Sequence, residues 1–257
     1  MSILRPHFNP DMQQLRTLAR QIPGALPTGI NVVKVAESIR TRDLAIEGEE
    51  ATRHVMARTA YQIVYQDGTV FLDSGLDYET HLTFGSTTDP YFNETYDALQ
   101  EALLRARMII ITHYHGDHVA GVLRSPHVDR LVPKTVVTEE TARLLLESPH
   151  KPTLRTTSDR VERMMVLDYR WALPVAPGLV LIKAPGHTPD SQMVFLTLAD
   201  GREFVHGVDS AWHMDNVRLL RQKAAPWVKE DREAVAAHLR WLKHVDEDEP
   251  DTTVFVT

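Results

Sequence analysis

Residues 108–118 read Met108-Ile-Ile-Ile-Thr-His113-Tyr-His115-Gly-Asp117-His118. The opening apolar run has no polar alternation, the pattern of a strand buried on both faces. Three histidines and an aspartate then fall within six residues. Strand ends deliver side chains to the crevice of an open α/β sheet. Imidazole and carboxylate suit zinc, and also iron or manganese. His113 and His115 are two apart, so they project to the same side of an extended segment. Gly116 permits a sharp turn, after which Asp117 and His118 face a second position. The spacing points to two adjacent metals. The competing reading is a solvated loop with Asp117 as helix N-cap; clustering behind a buried strand favours metal ligation.

Upstream, residues 93–107 place Tyr96, Leu99, Leu103 and Leu104 on one face of an amphipathic helix. Residues 60–65 and 69–72 are β-rich runs around Asp67-Gly68, a hairpin signal, and 30–36 reads as a strand. Residues 11–22 carry a helical period through Met12, Leu15, Leu18, Ala19 and Ile22, followed by a turn-rich break at 23–29. Downstream, strands are expected at 135–138, 179–184, 192–198, 203–208 and 252–256, and helices at 139–147 and 232–243. The acidic run 246–249 reads as a solvated loop after the last helix. Residues 62–73 and 192–209 share the order strand, Asp-Gly turn, strand, acid, a weak sign of internal pseudo-symmetry. No Gly- or Pro-rich linker divides the chain. It reads as an N-terminal helix and linker, residues 1–29, before a single compact domain, residues 30–257.

The chain has 257 residues, a net charge of −7, 13 histidines and no cysteine. The acidic balance argues against sequence-independent nucleic-acid binding, which relies on basic surface. Disulfides, cysteine nucleophiles and thiolate ligands are excluded. No apolar run approaches the ~20 residues of a spanning helix, so no membrane association is expected. The N-terminus has no apolar h-region, which makes a cytoplasmic location the default.

His-Xaa-His-Xaa-Asp-His after an apolar strand resembles the metallo-β-lactamase fold superfamily of hydrolases. Leu72-Asp73-Ser74-Gly75 is similar to the Asp-Xaa-Gly turn that supports the site there, with Asp73 orienting ligands rather than binding metal. Ala184-Pro-Gly-His187-Thr-Pro-Asp-Ser191 resembles the family's Gly-His-Thr segment, whose histidine binds metal. Asp209 stands where the family places an aspartate bridging both ions. The resemblance covers roughly residues 30–257 and implies an α/β four-layer αββα sandwich with the site at one edge. It also implies zinc, two ions per chain, with iron or manganese as alternatives. His113, His115 and His187 would hold the first ion, Asp117 and His118 the second, with Asp209 between them. Asp209 lies three residues before Trp212, a spacing similar to one bacterial branch that also has a segment like Ala57-Arg58-Thr59-Ala60. Two departures stand out. Val208 replaces the usual glycine before the bridging aspartate. The family's last histidine ligand is expected just after Val254-Phe-Val-Thr257. His206 and His213 are weak candidates to substitute for it, and His238 and His244 are expected at the surface.

This resemblance implies a metal-dependent hydrolase, in which the metal pair lowers the pKa of bound water and supplies hydroxide at neutral pH. Asp117 would also act catalytically, orienting the nucleophile or passing a proton to the leaving group. The leading substrate class is a small-molecule carboxylic ester or lactone. Alternatives on the same fold are a phosphodiesterase or nuclease, a β-lactam hydrolase, a glyoxalase-type thioesterase, a mononuclear iron oxygenase and a half-metallated non-catalytic domain. A homodimer is compatible with the sequence. The segments 81–96 and 212–227 are long connections rich in aromatics. They are expected either to wall the substrate or to anchor their loops to the core.

Overall fold

The computed structural model describes residues 8–257. Eleven strands form two sheets among the described residues. The first contains β1 (Gly29–Thr41), β2 (Arg53–Tyr65), β3 (Gly68–Leu72), β4 (Met108–Ile110), β5 (Thr135–Thr138) and β6 (Met165–Leu167), in that spatial order. The second contains β7 (Ala172–Ala176), β8 (Leu179–Lys183), β9 (Gln192–Thr197), β10 (Glu203–His206) and β11 (Thr252–Phe255), ordered β11-β10-β9-β8-β7. Strands β1 to β3 pair antiparallel, then β3 to β6 run parallel.

Side-chain alternation builds the layers. On β4, Ile109 turns to an apolar cluster with Leu99 and Leu103 of the helix Asn93–Arg105, Val119 of the helix Gly116–Leu123 and Leu145 of the helix Glu139–Glu147. Its neighbour Ile110 turns the other way, to a cluster between the sheets with Leu72, Leu181 and Val194. Both isoleucines are fully buried, as the unbroken apolar run requires. Outside the second sheet, Leu15 and Ala19 of the helix Met12–Ala19 and Leu239 and Leu242 of the helix Arg232–Asp248 cover Val180 and Phe195. The result is helix, sheet, sheet, helix: the four-layer αββα sandwich. Each fully buried Leu, Ile or Phe in these layers contributes roughly 1.5–3 kcal/mol. The first helix also ties down through Arg16, which donates to Glu203 at 2.9 Å and Glu249 at 2.7 Å. Residues 1–7, the start of the expected N-terminal segment, lie outside the described residues.

The echo between 62–73 and 192–209 has a counterpart in the connections. The β2–β3 hairpin ends at Asp73, and β3 then pairs in parallel with β4. The β9–β10 hairpin ends near Asp209, and β10 pairs in parallel with β11.

Several elements differ from the sequence expectation. The acidic run 246–249 is not a loop, because the helix runs through it to Asp248. Acids oppose the dipole at a helix C-terminus. Here Val245 is buried, Lys243 reaches Glu247 and His244 reaches Asp248, both at 2.6 Å, and these hold the last turn. His238 on that helix is buried rather than at the surface. Its ring meets Phe8 with centroids 4.4 Å apart, and Nδ1 lies 3.2 Å from Ser210 Oγ. His244 is exposed, as expected. Strand β7, outside the sequence expectation, carries Pro174 and lies at the edge of its sheet, where a proline is tolerated. Among the described residues no helix is long and apolar enough to cross a membrane.

Candidate metal centre

The expected site residues meet where the two sheets join. Gln192 binds both sides of that seam, its backbone N donating to Thr112 O at 3.0 Å and its side chain to Ile111 O at 2.9 Å. Asp73 follows β3, Thr112 to His115 follow β4, His187 follows β8 and Asp209 follows β10. Asp117 and His118 lie in the first turn of the helix Gly116–Leu123. The N-cap position of that helix is His115, so Asp117 does not cap it. Gly116 keeps an ordinary backbone conformation. A side chain there would press on Leu154, Thr80 and Phe84 at 3.1–3.3 Å, so the glycine serves space rather than a turn.

The groups fall into two sets with one common member. Ligand atoms of His113, His115, His187 and Asp209 lie within 4.8 Å of one another, as do those of Asp117, His118 and Asp209. Asp209 Oδ1 is 3.5 Å from His118 Nε2, and Oδ2 is 3.5 Å from His187 Nε2. His115 Nδ1 is 3.2 Å from His187 Nε2. Val208, before this aspartate, has φ +47°, a conformation that favours glycine and strains a β-branched side chain. That backbone turns Asp209 inward.

Asp73 orients the other side. At φ +62° it uses a conformation that aspartate tolerates better than most residues. It accepts from Thr112 N and Thr112 Oγ1 and faces His118 Nδ1, each at 2.8 Å. A proton on His118 Nδ1 directed at Asp73 leaves Nε2 facing the site. His187 Nδ1 lies 3.2 Å from Glu230 Oε2, again with Nε2 inward.

The electrostatics ask for a cation. Burial and neighbouring imidazoles push His113 and His115 well below the usual histidine range, leaving them neutral. Burial would lower His118 too, but Asp73, Asp117 and Asp209 drive it well above. Burial would raise Asp209, yet His118 and the other imidazoles hold it well below the usual carboxylate range. His113 Nε2, His118 Nε2 and Asp209 Oδ1 are buried with no hydrogen-bond partner among the described residues. Buried polar atoms are rarely left so, and neutral imidazoles with carboxylates are the donor set zinc takes. The residues present therefore fit a metal pair.

Other residues enter that the sequence reading passed over. Arg58 hydrogen-bonds Asp117, braces on Ser38 Oγ at 3.1–3.2 Å and lies 4.7 Å from the Phe84 ring centroid. Burial would raise the Asp117 carboxyl, but the Arg58 guanidinium overrides it and holds it at about 2. His150 Nδ1 accepts from Gly116 N at 3.1 Å, which leaves its proton on Nε2. Lys223 and Glu230 form a buried pair beside His187. Only Arg58 had a trace in the sequence, inside Ala57-Arg58-Thr59-Ala60; Lys223 and Glu230 sit on an aperiodic connection. His206 lies between Tyr61 and Phe255, with centroids at 4.6 and 4.2 Å, and belongs to neither set. His213 caps the helix Met214–Leu219 instead. In the segment 81–96, Phe84, Tyr91 and Tyr96 pack on the first sheet's outer cluster, and Tyr91 donates to Leu76 O at 3.1 Å. They anchor the loop.

Asp190, beyond His187, is buried. Thr141 Oγ1 donates to one carboxylate oxygen at 2.8 Å, and the other has no partner. Burial pushes it up to about 6 despite the hydrogen bond from Thr141. A folded-state value above the unfolded one means that stability is lost as pH rises from about 4 through 6. That rise corresponds to about 3 kcal/mol. Asp190→Asn is expected to be more stable than the unchanged protein at pH 8, with the gap closing towards pH 4–5. Urea denaturation across that range reads it, and a gap independent of pH would rule out this account.

No protein-family model matches the chain, and no curated protein matches it. Solved structures do. A quorum-quenching N-acyl homoserine lactone lactonase superposes with a TM-score of 0.70 at 14% identity, over 91% of this chain and 93% of that one. The dizinc quorum-quenching lactonase AidC gives 0.63 at 12% identity, over 90% and 87%. The hydrolase AbOPH of the β-lactamase superfamily gives 0.59 at 16%, over 92% and 90%.

Proposed function

We propose that this chain, which has the metallo-β-lactamase fold, is a metal-dependent hydrolase that opens a carboxylic ester or lactone. His113, His115 and His187 would hold one ion, Asp117 and His118 a second, with Asp209 available to both. The observation that carries the reading is Asp209, the one group common to both sets, with its two oxygens turned to opposite histidines. The likeness to lactonases supports the substrate class through the fold. When bound, a pair of zinc ions would supply hydroxide from water at neutral pH and polarise the substrate carbonyl.

The chain's own residues do the remainder. His113 and His115 are kept neutral, the form that can bind metal. Asp73 fixes the ring of His118. Asp117, held at about 2, stays a carboxylate throughout the neutral range. That supports an orienting role, accepting a hydrogen bond from the attacking water, over a proton-passing one.

The test pairs metal content, by inductively coupled plasma mass spectrometry, with a panel of lactones, carboxylic esters and phosphodiesters. Two zinc ions per chain and saturable, chelator-sensitive opening of a lactone or ester are expected. Cleavage of phosphodiesters alone would move the assignment to a phosphodiesterase. Absence of metal after reconstitution with zinc, iron or manganese would overturn the reading.

A further inference from the structure

Lys223 and Glu230 are the most completely buried ion pair beside the site, with side-chain exposures of 0% and 2% and a separation of 2.9 Å. Burying two charges is costly unless each is well satisfied. Lys223 Nζ is: it donates to Glu230 and to the backbone oxygen of Asp209, and it lies 5.2 Å from the Trp212 ring centroid. Glu230 spends Oε2 on both Lys223 and His187. The pair thus grips two members of one metal set, Asp209 through its backbone and His187 through its ring.

His187 Nδ1 lies between an acceptor and a donor, 3.2 Å from Glu230 Oε2 and 3.3 Å from Lys223 Nζ. A proton on Nδ1 goes to Glu230, and the Nε2 lone pair faces Asp209 and His115. A hydrogen bond from Lys223 into Nδ1 would instead put the proton on Nε2 and block it as a ligand. Lys223 already has its other partners, so the carboxylate decides. We propose that Glu230, with Lys223 as its counter-charge, is a positioning residue that selects the Nδ1–H tautomer of His187 and so presents Nε2 to a metal ion. Glu230 does for His187 what Asp73 does for His118, from the opposite side of the site. The proposal rests on His187 being a ligand, but the tautomer itself can be read without metal.

The experiment uses the full chain with ¹⁵N-labelled histidine, His187 being assigned by comparison with His187→Gln. Long-range ¹H–¹⁵N correlation of the metal-free protein is expected to show His187 as the Nδ1–H tautomer. Lys223→Met/Glu230→Met removes both charges together, a change that leaves folding stability near neutral for many buried pairs. It is expected to lose the tautomer preference and to bind zinc about 10–100-fold more weakly, with its melting temperature maintained. Glu230→Gln, which keeps the side-chain shape, is expected to weaken zinc in the same direction. A mere structural staple would move stability and leave tautomer and zinc Kd unchanged, and that result overturns the proposal. So does an Nε2–H tautomer in the unchanged protein. Failure of the unchanged protein to take zinc would sink the hydrolase reading instead, and the tautomer result would still stand or fall on its own.

Discussion

Asp209→Ala is expected to leave less than one zinc per chain under conditions that load the unchanged protein with two, and to lower kcat/KM by at least about 10³-fold, or ~4 kcal/mol. Every other member of the site belongs to one set; Asp209 belongs to both. On the proposed assignment its removal takes a ligand from each set and one negative charge from the site. Asp117→Ala touches only the Asp117–His118–Asp209 set, so it is expected to cost one ion and spare the other. Folding should respond far less. Without an ion Asp209 is a buried carboxylate among imidazoles, with one oxygen unpartnered and the other taking only Trp212 Nε1 at 3.2 Å. The metal-free Asp209→Ala protein should therefore keep its melting temperature within a few degrees. Asp209→Asn, which keeps the shape and an acceptor for Trp212, should lose metal almost as completely, because charge is what it lacks. Metal content, initial rates and melting curves on the three variants check this. Two ions retained by Asp209→Ala would remove the shared aspartate from the centre of the site.

How much of this was visible in the sequence depends on the range over which each feature is determined. Local features were legible. The apolar run at 108–111 gives a strand that feeds side chains to both faces, and Asp67-Gly68 sits at the β2–β3 hairpin. The His113–His118 cluster lies within one turn of chain, so its convergence is written in spacing alone. Asp73, His187 and Asp209 required the family resemblance, because Asp73 comes from the neighbouring strand and His187 and Asp209 from the other sheet. What stayed hidden was set by tertiary contact. Lys223 and Glu230 come from an aperiodic loop and acquire meaning only against His187. His238 looked like a surface residue because the face a helical position presents is decided by the sheet it lands on. The run 246–249 looked like a loop because composition does not register the i,i+4 pairs and the buried Val245 beneath it.

Gly121→Ala is expected to destabilise the fold by more than about 4 kcal/mol, or to prevent soluble folding, although it adds only one methyl group and alanine is the better helix former. A Cβ at this position would stand 1.8 Å from Ser74 O and 2.7 Å from Ser74 C. Both are backbone atoms, so no rotamer change relieves the clash; the helix and the turn must separate. Their contact is a dense one. Ser74 N and Ser74 Oγ donate to His118 O at 2.8 and 2.7 Å, Val122 N donates to Ser74 Oγ at 3.2 Å, and Gly121 N donates to Gly75 O at 3.0 Å. Overpacking alone costs about 1–3 kcal/mol, and each broken hydrogen bond adds about 0.5–1.5 kcal/mol. Together they consume much of the 5–15 kcal/mol typical of a folded domain. The same contact carries function. Asp73 leads the turn, and Asp117 and His118 lie on the helix, so moving one from the other breaks the Asp73–His118 contact that aims Nε2 into the site. Any folded fraction of Gly121→Ala should therefore be short of the ion that Asp117 and His118 would hold, while keeping the other. Gly201→Ala is the control: its Cβ meets nothing within 4 Å, but φ is +89°, so backbone strain of about 1 kcal/mol and full metal content are expected. Urea denaturation and zinc content decide the matter. Stability within about 1 kcal/mol of the unchanged protein for Gly121→Ala would mean that the turn and the helix are not locked together as the structure shows.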